Sequence, residues 1–484
     1  MSVVHNVNPT DLPVVGRYYQ PEGRRIGDVI PFYWNGEHHI FFLSYGEAFY
    51  NHMPPGARRT PWGHLVSKDL VNWTRLPDAI APSEEEAPDS GSCATGAIFE
   101  HAGRFYLYYT GRHFTREGKK REVICQAFSD DLVTWTKDPA NPIAVPDPSI
   151  YGLENFRDPF VFRNEEAGEF WMLITADFPN EVRTRKGCLA LLASRDLETW
   201  EHRGPFWTSR TRHQHECPDV FQFGDWWYMF YSDKRTNYRY SRTPNGPWMA
   251  PPVPTLDDTW FYAAKTSGDE KRRLLFAWLA TKAPTTDDGR YEWGGSLACR
   301  ELKQNPDGTL YTVLPEEHRS TRQIAAPKLV APTGEAEIGD GKVTIRSPYG
   351  FALAFARDVP ADAQTRLTIT PQVGTRAFGL ILRSDAVGAT GYALRFDVER
   401  RIMSIASIDH LGEPRNVASQ PWLPPASGPV DLVVTCSGSV IDAFAGPGSS
   451  LIARFHDYRG DNLGLWVEDG EAVFSELAVF DPLV

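Results

Sequence analysis

The sequence predicts an all-β protein: a five-bladed β-propeller over residues 1–320, a linker over 321–335 and a C-terminal β-sandwich over 336–484. Three observations carry this. The pattern S-x-D-L-x-x-W recurs at Ser67–Trp73, Ser129–Trp135 and Ser194–Trp200, at intervals of 62 and 65 residues (67 to 129, 129 to 194). Ahead of each copy lies an apolar stretch, a Gly turn and an aromatic stretch, the signature of a hairpin. No segment before residue 320 has a helical period, and short alternating segments fill the chain beyond Gly341.

In order, the hairpins fall at Asp28–Leu43, Thr95–Tyr109, Asp158–Thr175, Glu216–Tyr231 and, more loosely, Phe261–Leu279. In each S-x-D-L-x-x-W copy the Asp-Leu pair suits a turn and the Trp opens the next strand, packing inward. A degenerate fourth copy is Ser241–Trp248. With the flanking strands each repeat holds about four, the content of one propeller blade. The repeat stops after Leu302–Gly308, and a charged, then Ala/Pro-rich stretch reads as the linker. Beyond it, Lys342–Ile345, Arg366–Ile369 and Phe378–Leu382 read as sandwich strands. They carry no acidic or nucleophilic constellation, so a supporting role is expected, with sugar binding as the alternative.

The chain has 484 residues, too many for one ordinary core. With 50 Lys plus Arg against 62 Asp plus Glu, the formal charge is −12, and without a basic cluster the chain is a poor candidate for nucleic acid or anionic membrane. A neutral ligand fits better. Aromatics are 13% of residues, with 15 Trp and 19 Tyr; such rings fill β-cores, and they also stack on the C–H faces of sugars. The start Met1–Asn6 lacks the basic-then-apolar pattern of a signal peptide, and no window approaches a membrane span. Six scattered cysteines show neither pairing nor metal spacing, so free thiols in a reducing cytoplasm are expected.

Aligned on their Gly turns, the repeats bring carboxylates into register. Asp28 lies eight residues before Gly36 and Glu216 eight before Gly224; Asp158 lies ten before Gly168, with Glu165-Glu166 as a two-residue insertion. The second repeat has Thr95 there, so the fold does not demand an acid. A propeller lines its channel with the first strand of each blade, so the three acids are expected to face one cavity. One Asp at a strand start commonly caps a turn; three in register, one beside Arg157, point to chemistry. Carboxylates crowded in one cavity push their pKa values apart. Glycoside cleavage uses that: one group protonates the leaving oxygen while another attacks or activates water. Arg157 is placed to hold Asp158 ionised and to donate to sugar hydroxyls. Cys217-Pro218 is placed to hold Glu216 rigid.

Several motifs together resemble glycoside hydrolase family 32, the invertase and β-fructosidase family. They are Arg157-Asp158-Pro159, Glu216-Cys217-Pro218, Trp62-Gly63-His64 leading into Ser67–Leu70, Ser90-Gly91-Ser92, Phe261–Thr266 and Arg272–Trp278. They span nearly the whole predicted propeller in family order. The resemblance implies Asp28 as nucleophile, Glu216 as general acid/base and Asp158 as transition-state stabiliser, in a retaining reaction through a covalent fructosyl-enzyme. It also implies substrate contacts from Ser90, Gly91, Ser92, Cys217, Tyr262 and Lys265. The chain departs from the family around the nucleophile. Gly27 stands where an Asn contacts the sugar, Leu43 where a Gln ends the following strand, and Asp89 where an aromatic precedes Ser-Gly-Ser. Leu43 and Gly27 are therefore expected to set sugar recognition.

Other residues are weaker signals. His213 and His215 are spaced for a metal, as is His38-His39 more loosely, but without an acid or Cys partner; His215 is read as polar lining beside Glu216. Arg112-His113 faces either the cavity or solvent. Ser92-Cys93 has no His-Asp pattern to support a nucleophile. Trp62 is expected to be a sugar platform and Trp293 to be blade core. The sequence thus points to a cytoplasmic, retaining exo-glycoside hydrolase. It would release terminal β-fructofuranosyl or similar furanosyl units from sucrose or short fructo-oligosaccharides, without metal or cofactor. The alternatives are a transfructosylase, an inverting arabinofuranosidase-like enzyme, and a non-catalytic sugar-binding propeller.

Overall fold

Strands make up nearly all the regular structure, and the helical element described is the 3-10 turn Glu316–His318. The computed structural model describes residues 14–46, 59–210, 213–269, 271–324, 327–331, 336–408, 414–423, 428–446 and 448–482. The chain is all-β.

The S-x-D-L-x-x-W copies build one turn three times. Asp69 Oδ1 accepts the backbone N–H groups of Val71 and Asn72 at 3.0 and 2.7 Å; Asp131 does the same for Val133 and Thr134, and Asp196 for Glu198 and Thr199. The next residue, Leu70, Leu132 or Leu197, takes a positive φ of 60 to 65° and is buried. The Asp therefore satisfies the turn, and the Leu anchors it.

The hairpins appear as expected, in antiparallel sheets. Two are four-stranded: Ser92–His101, Arg104–Phe114, Lys120–Ser129 and Thr136–Lys137; then Phe156–Asn164, Glu169–Asp177, Gly187–Ser194 and Glu201–Trp207. The fourth repeat keeps three strands, Glu216–Phe223, Trp226–Asp233 and Arg235–Ser241. The first, Arg24–Trp34 to Asn72–Ile80, joins the fifth, Phe261–Gly268 to Arg290–Gln304, through a bridge between Gly295 and Ile26. The first strands of the first four repeats pack beside one another in order.

The Gly-turn alignment slips by one residue in the fourth repeat. Asn35-Gly36 and Ala102-Gly103 are two-residue turns with positive φ at both positions, so the Gly comes second; in the Phe223–Trp226 hairpin Gly224 comes first. Counted from the closing pairs, Asp28, Thr95 and Asp158 each stand six residues back (28 to 34, 95 to 101, 158 to 164). Cys217 holds that place in the fourth repeat, and Glu216 is one residue further back. Convergence survives because every one of these strands is interrupted there. Register shifts fall at Ile26/Val29, Ala94/Gly96, Arg157/Phe160 and Glu216/Asp219, and Asp158 and Cys217 adopt φ of 57 and 53°. Such bulges re-aim side chains.

The chain forms two compact units, divided differently from the expected boundary. One holds residues 1–251, 262–279 and 293–299; the other holds 252–261, 280–292 and 300–484. In the second, two long strands, Lys342–Arg357 and Asn462–Phe480, pair with each other along a 12-stranded sheet whose larger core includes Phe378, Phe396, Trp422 and Phe474. The expected linker is partly structured: Lys328–Val330 pairs with Phe355–Arg357, and Gln323 bridges Phe480. Residues 325–326 and 332–335 lie outside the described residues.

Candidate active site

The three predicted acids meet in the first unit. Asp28 Oδ1 accepts the indole N–H of Trp278 at 3.0 Å, and its Oδ2 accepts the hydroxyl of Thr95. Asp158 Oδ2 accepts the Cys217 N–H at 3.0 Å, and the Asp158 N–H donates to Thr110 Oγ1 at 2.8 Å. Glu216 Oε1 accepts Arg157 Nη2 at 2.7 Å, and its Oε2 accepts the Tyr262 hydroxyl. Its side chain is 25% exposed, against 5% for Asp158, so Glu216 is the more open of the two.

Burial and mutual repulsion set the charges. Burial raises Asp28; the Thr95 and Trp278 hydrogen bonds pull it back, and the nearby Glu216 charge adds to the rise. Burial lifts Asp158 to about 6, with Arg157 opposing and Glu216 and Asp28 reinforcing. The Tyr262 phenol is pushed well up by burial and by Glu216, which keeps it a hydrogen-bond donor. Carboxyls brought within reach of one another's charge are suited to acid–base and nucleophilic work on one bond.

Several expectations need correction. Arg157 is not left free for sugar hydroxyls: Asn155 Oδ1, at 2.9 Å, Glu122 Oε2, at 3.5 Å, and Glu216 already occupy it. Trp62 is fully buried, and its indole donates to the Ala94 carbonyl, so it presents no face to a ligand. Leu43 lies in the same apolar cluster and reaches no site. His215 is fully buried, bonded to Ser209 Oγ and packed on Trp207 and Tyr231. Lys265 is buried with its ammonium on the Gly96 carbonyl, close enough to lower Asp28 by its charge. Gly91 is buried with its N–H on the Arg112 carbonyl, and Ser90 is half-buried. Ser92 is buried opposite Arg112 in the strand register, and its hydroxyl has no hydrogen-bond partner among the described residues. His39 Nδ1 lies 3.0 Å from His64 Nε2.

Gly27 has a steric reason. A Cβ there would lie 1.8 Å from Trp293, whose half-buried ring packs on Tyr45 and on Trp278, the donor to Asp28. Trp293 packs on the apolar core, as expected, and its half-buried ring also lies against Gly27, next to Asp28. Sequence reasoning missed Trp278 and Thr95 as partners of Asp28, and it missed Glu122. Glu122 is fully buried against Arg112 at 2.8 Å, Lys120 at 3.3 Å and Arg157, three cations that overcome burial and hold it down to about 2. The one available signal was Arg157 itself, a buried cation that needs anionic partners on more than one side.

Known proteins resemble this chain in both sequence and fold. Sucrose-6-phosphate hydrolase of Bacillus subtilis (strain 168) is 29% identical over 308 residues, 58% of this chain and 58% of that protein. Raffinose invertase of Escherichia coli is 28% identical over 324 residues, 61% and 63% of the two chains. The match thus spans about three-fifths of these relatives' length. Among solved structures, sucrose-6-phosphate hydrolase from Lactobacillus gasseri superposes with a TM-score of 0.73 at 19% identity, covering 97% of this chain and 93% of that one. Fructan 1-exohydrolase IIa from Cichorium intybus gives 0.72 at 19%, covering 99% and 98%. A model of the glycosyl hydrolases family 32 N-terminal domain matches residues 28–313, more than half of the chain, and the chain belongs to that family.

Proposed function

We propose that the protein is a retaining exo-glycoside hydrolase that releases terminal β-fructofuranosyl units from sucrose or short fructo-oligosaccharides. The observation that carries this is the convergence of Asp28, Asp158 and Glu216, linked by Arg157, Thr95, Trp278 and Tyr262. In this reading the first unit is a five-bladed propeller, supported by its five hairpin repeats, and the second is a β-sandwich, supported by its antiparallel strands and large buried core.

Glu216 protonates the glycosidic oxygen as Asp28 attacks the anomeric carbon. The bond to the leaving sugar breaks, and an ester between fructose and Asp28 forms. Water then attacks the anomeric carbon, giving its proton to Glu216, and the bond from that carbon to Asp28 breaks to release the carboxylate. Asp158, held by the Cys217 N–H, binds the sugar hydroxyls of the flattened transition state. Six buried, unpaired cysteines support a reducing compartment such as the cytoplasm.

A second reading gives the substrate a phosphate, as for the similar sucrose-6-phosphate hydrolases. Its support is the group of three cations, Arg112, Lys120 and Arg157, gathered around Glu122. The test is product chromatography on sucrose, sucrose 6-phosphate, 1-kestose and an arabinofuranoside, with NMR of the first-released anomer. Fructose released as the β-anomer, and its loss in Asp28→Asn, are expected. Release of the inverted anomer would remove the covalent step, fructosylated sucrose in place of free fructose would make the protein a transferase, and no cleavage of any furanoside would sink the enzyme reading.

A further inference from the structure

We infer that Glu122 is a positioning residue for the acid/base carboxylate, acting through Arg157. The inference rests on the assignment of Glu216 as the proton donor.

Glu122 lies in the strand Lys120–Ser129, in a sheet that carries none of the three acids but packs beside the strand that carries Asp158. It is fully buried and ionised, which is costly unless its charge is used. Its Oε1 takes Arg112 and Lys120, and its Oε2 faces Arg157 Nη1 at 3.5 Å. Asn155 Oδ1 accepts that same Nη1 at 2.9 Å, and the Asn155 amide is itself fixed on Asp177 at 2.8 Å. The far edge of the guanidinium is therefore pinned at two points. Its remaining directions are then settled: Nη2 meets Glu216 at 2.7 Å and Nε faces Asp158 at 3.7 Å. A row of alternating charge runs from the partly exposed Arg112 through Glu122 and Arg157 to Glu216.

A planar fork aims its hydrogen bonds only if its own orientation is fixed. With Glu122 neutral, Arg157 gains by turning toward the two remaining carboxylates, Asp158 and Glu216. Glu216 is then drawn off the line to the leaving oxygen. The nucleophile Asp28 is untouched, because its partners are Thr95 and Trp278.

Leaving-group dependence separates this from a merely structural role. Proton donation matters for a sugar alkoxide and little for a nitrophenolate, which leaves unaided. Glu122→Gln is expected to lower kcat on sucrose 10- to 100-fold and on p-nitrophenyl β-fructofuranoside less than 3-fold, with KM changing less than kcat. Asn155→Ala, at a half-buried position, should show the same selectivity more weakly, and it covers the case in which Glu122→Gln does not fold. Equal losses on both substrates, or no loss in either variant, would overturn the inference while leaving the hydrolase reading intact. A native protein that cleaves neither compound removes both.

Discussion

Gly27 and Trp293 share one volume. The ring fills the space that any side chain at 27 would need, so Gly27→Ala forces Trp293 away from Trp278. Overpacking of this kind costs about 1–3 kcal/mol. Gly27→Ala should melt several degrees lower, and Gly27→Ala with Trp293→Ala should recover most of that; equal melting of single variant and native protein would contradict it. Asp158 supplies a second prediction. Its folded pKa, about 6, lies above the ordinary 3.8, so ionising it in the fold opposes stability as pH rises through that window. Lowering the pH from 6 toward 4 should therefore favour the fold through this group while removing charge from the site. A kcat/KM profile is expected to fall below pH 6. In melting scans over the same range, the native protein should gain more than Asp158→Asn does.

At the scale of an element, the bulge is the functional device. Four first strands break register at the same level, and this allows Glu216, one residue out of step, to meet Asp28 and Asp158. Cys217 contributes its backbone there: its N–H sits 3.0 Å from Asp158 Oδ2, whereas its thiol is 3.8 Å away and burial keeps it protonated. Cys217→Ala should keep kcat/KM within about threefold, since a neutral thiol contact this long is worth a few tenths of a kcal/mol at most. A hundredfold fall in the steady-state assay would assign the sulfur a role that the geometry does not. The turn chemistry also explains the misalignment of the repeats. A Gly marks a hairpin, but turn type decides whether it comes first or second, and one residue matters where alternate side chains face opposite ways.

Over the whole molecule, the second compact unit is tied to early segments of the chain by a buried cation. Arg300 is 1% exposed, with Nη2 at 2.5 Å from Asp257 and 2.9 Å from Asp442. Burial lifts Asp257 to about 7, with Arg300 opposing and Asp442 reinforcing. Arg300→Met leaves two carboxylates facing each other and should destabilise by about 3–5 kcal/mol. Because a proton can replace the lost cation, urea unfolding should show a smaller deficit at pH 5 than at pH 8. A pH-independent deficit would mean that packing, not charge, is lost. The expected boundary at 320 missed this, because Asp257, Arg300 and Asp442 come from three distant parts of the chain.

By itself, the sequence determined what repeats. S-x-D-L-x-x-W encodes a turn in local hydrogen bonds, hairpin glycines encode positive φ, and Asp28, Asp158 and Glu216 stood out against Thr95 because the other positions of the repeat set a baseline. Only the tertiary structure decided which neighbours those acids have. Glu122, Trp278 and Tyr262 reach the site from strands far apart in the chain, and Trp62, Leu43 and His215 leave it because the core claims them. Charge balance and volume are settled among residues brought together by folding, and no spacing along the chain records that.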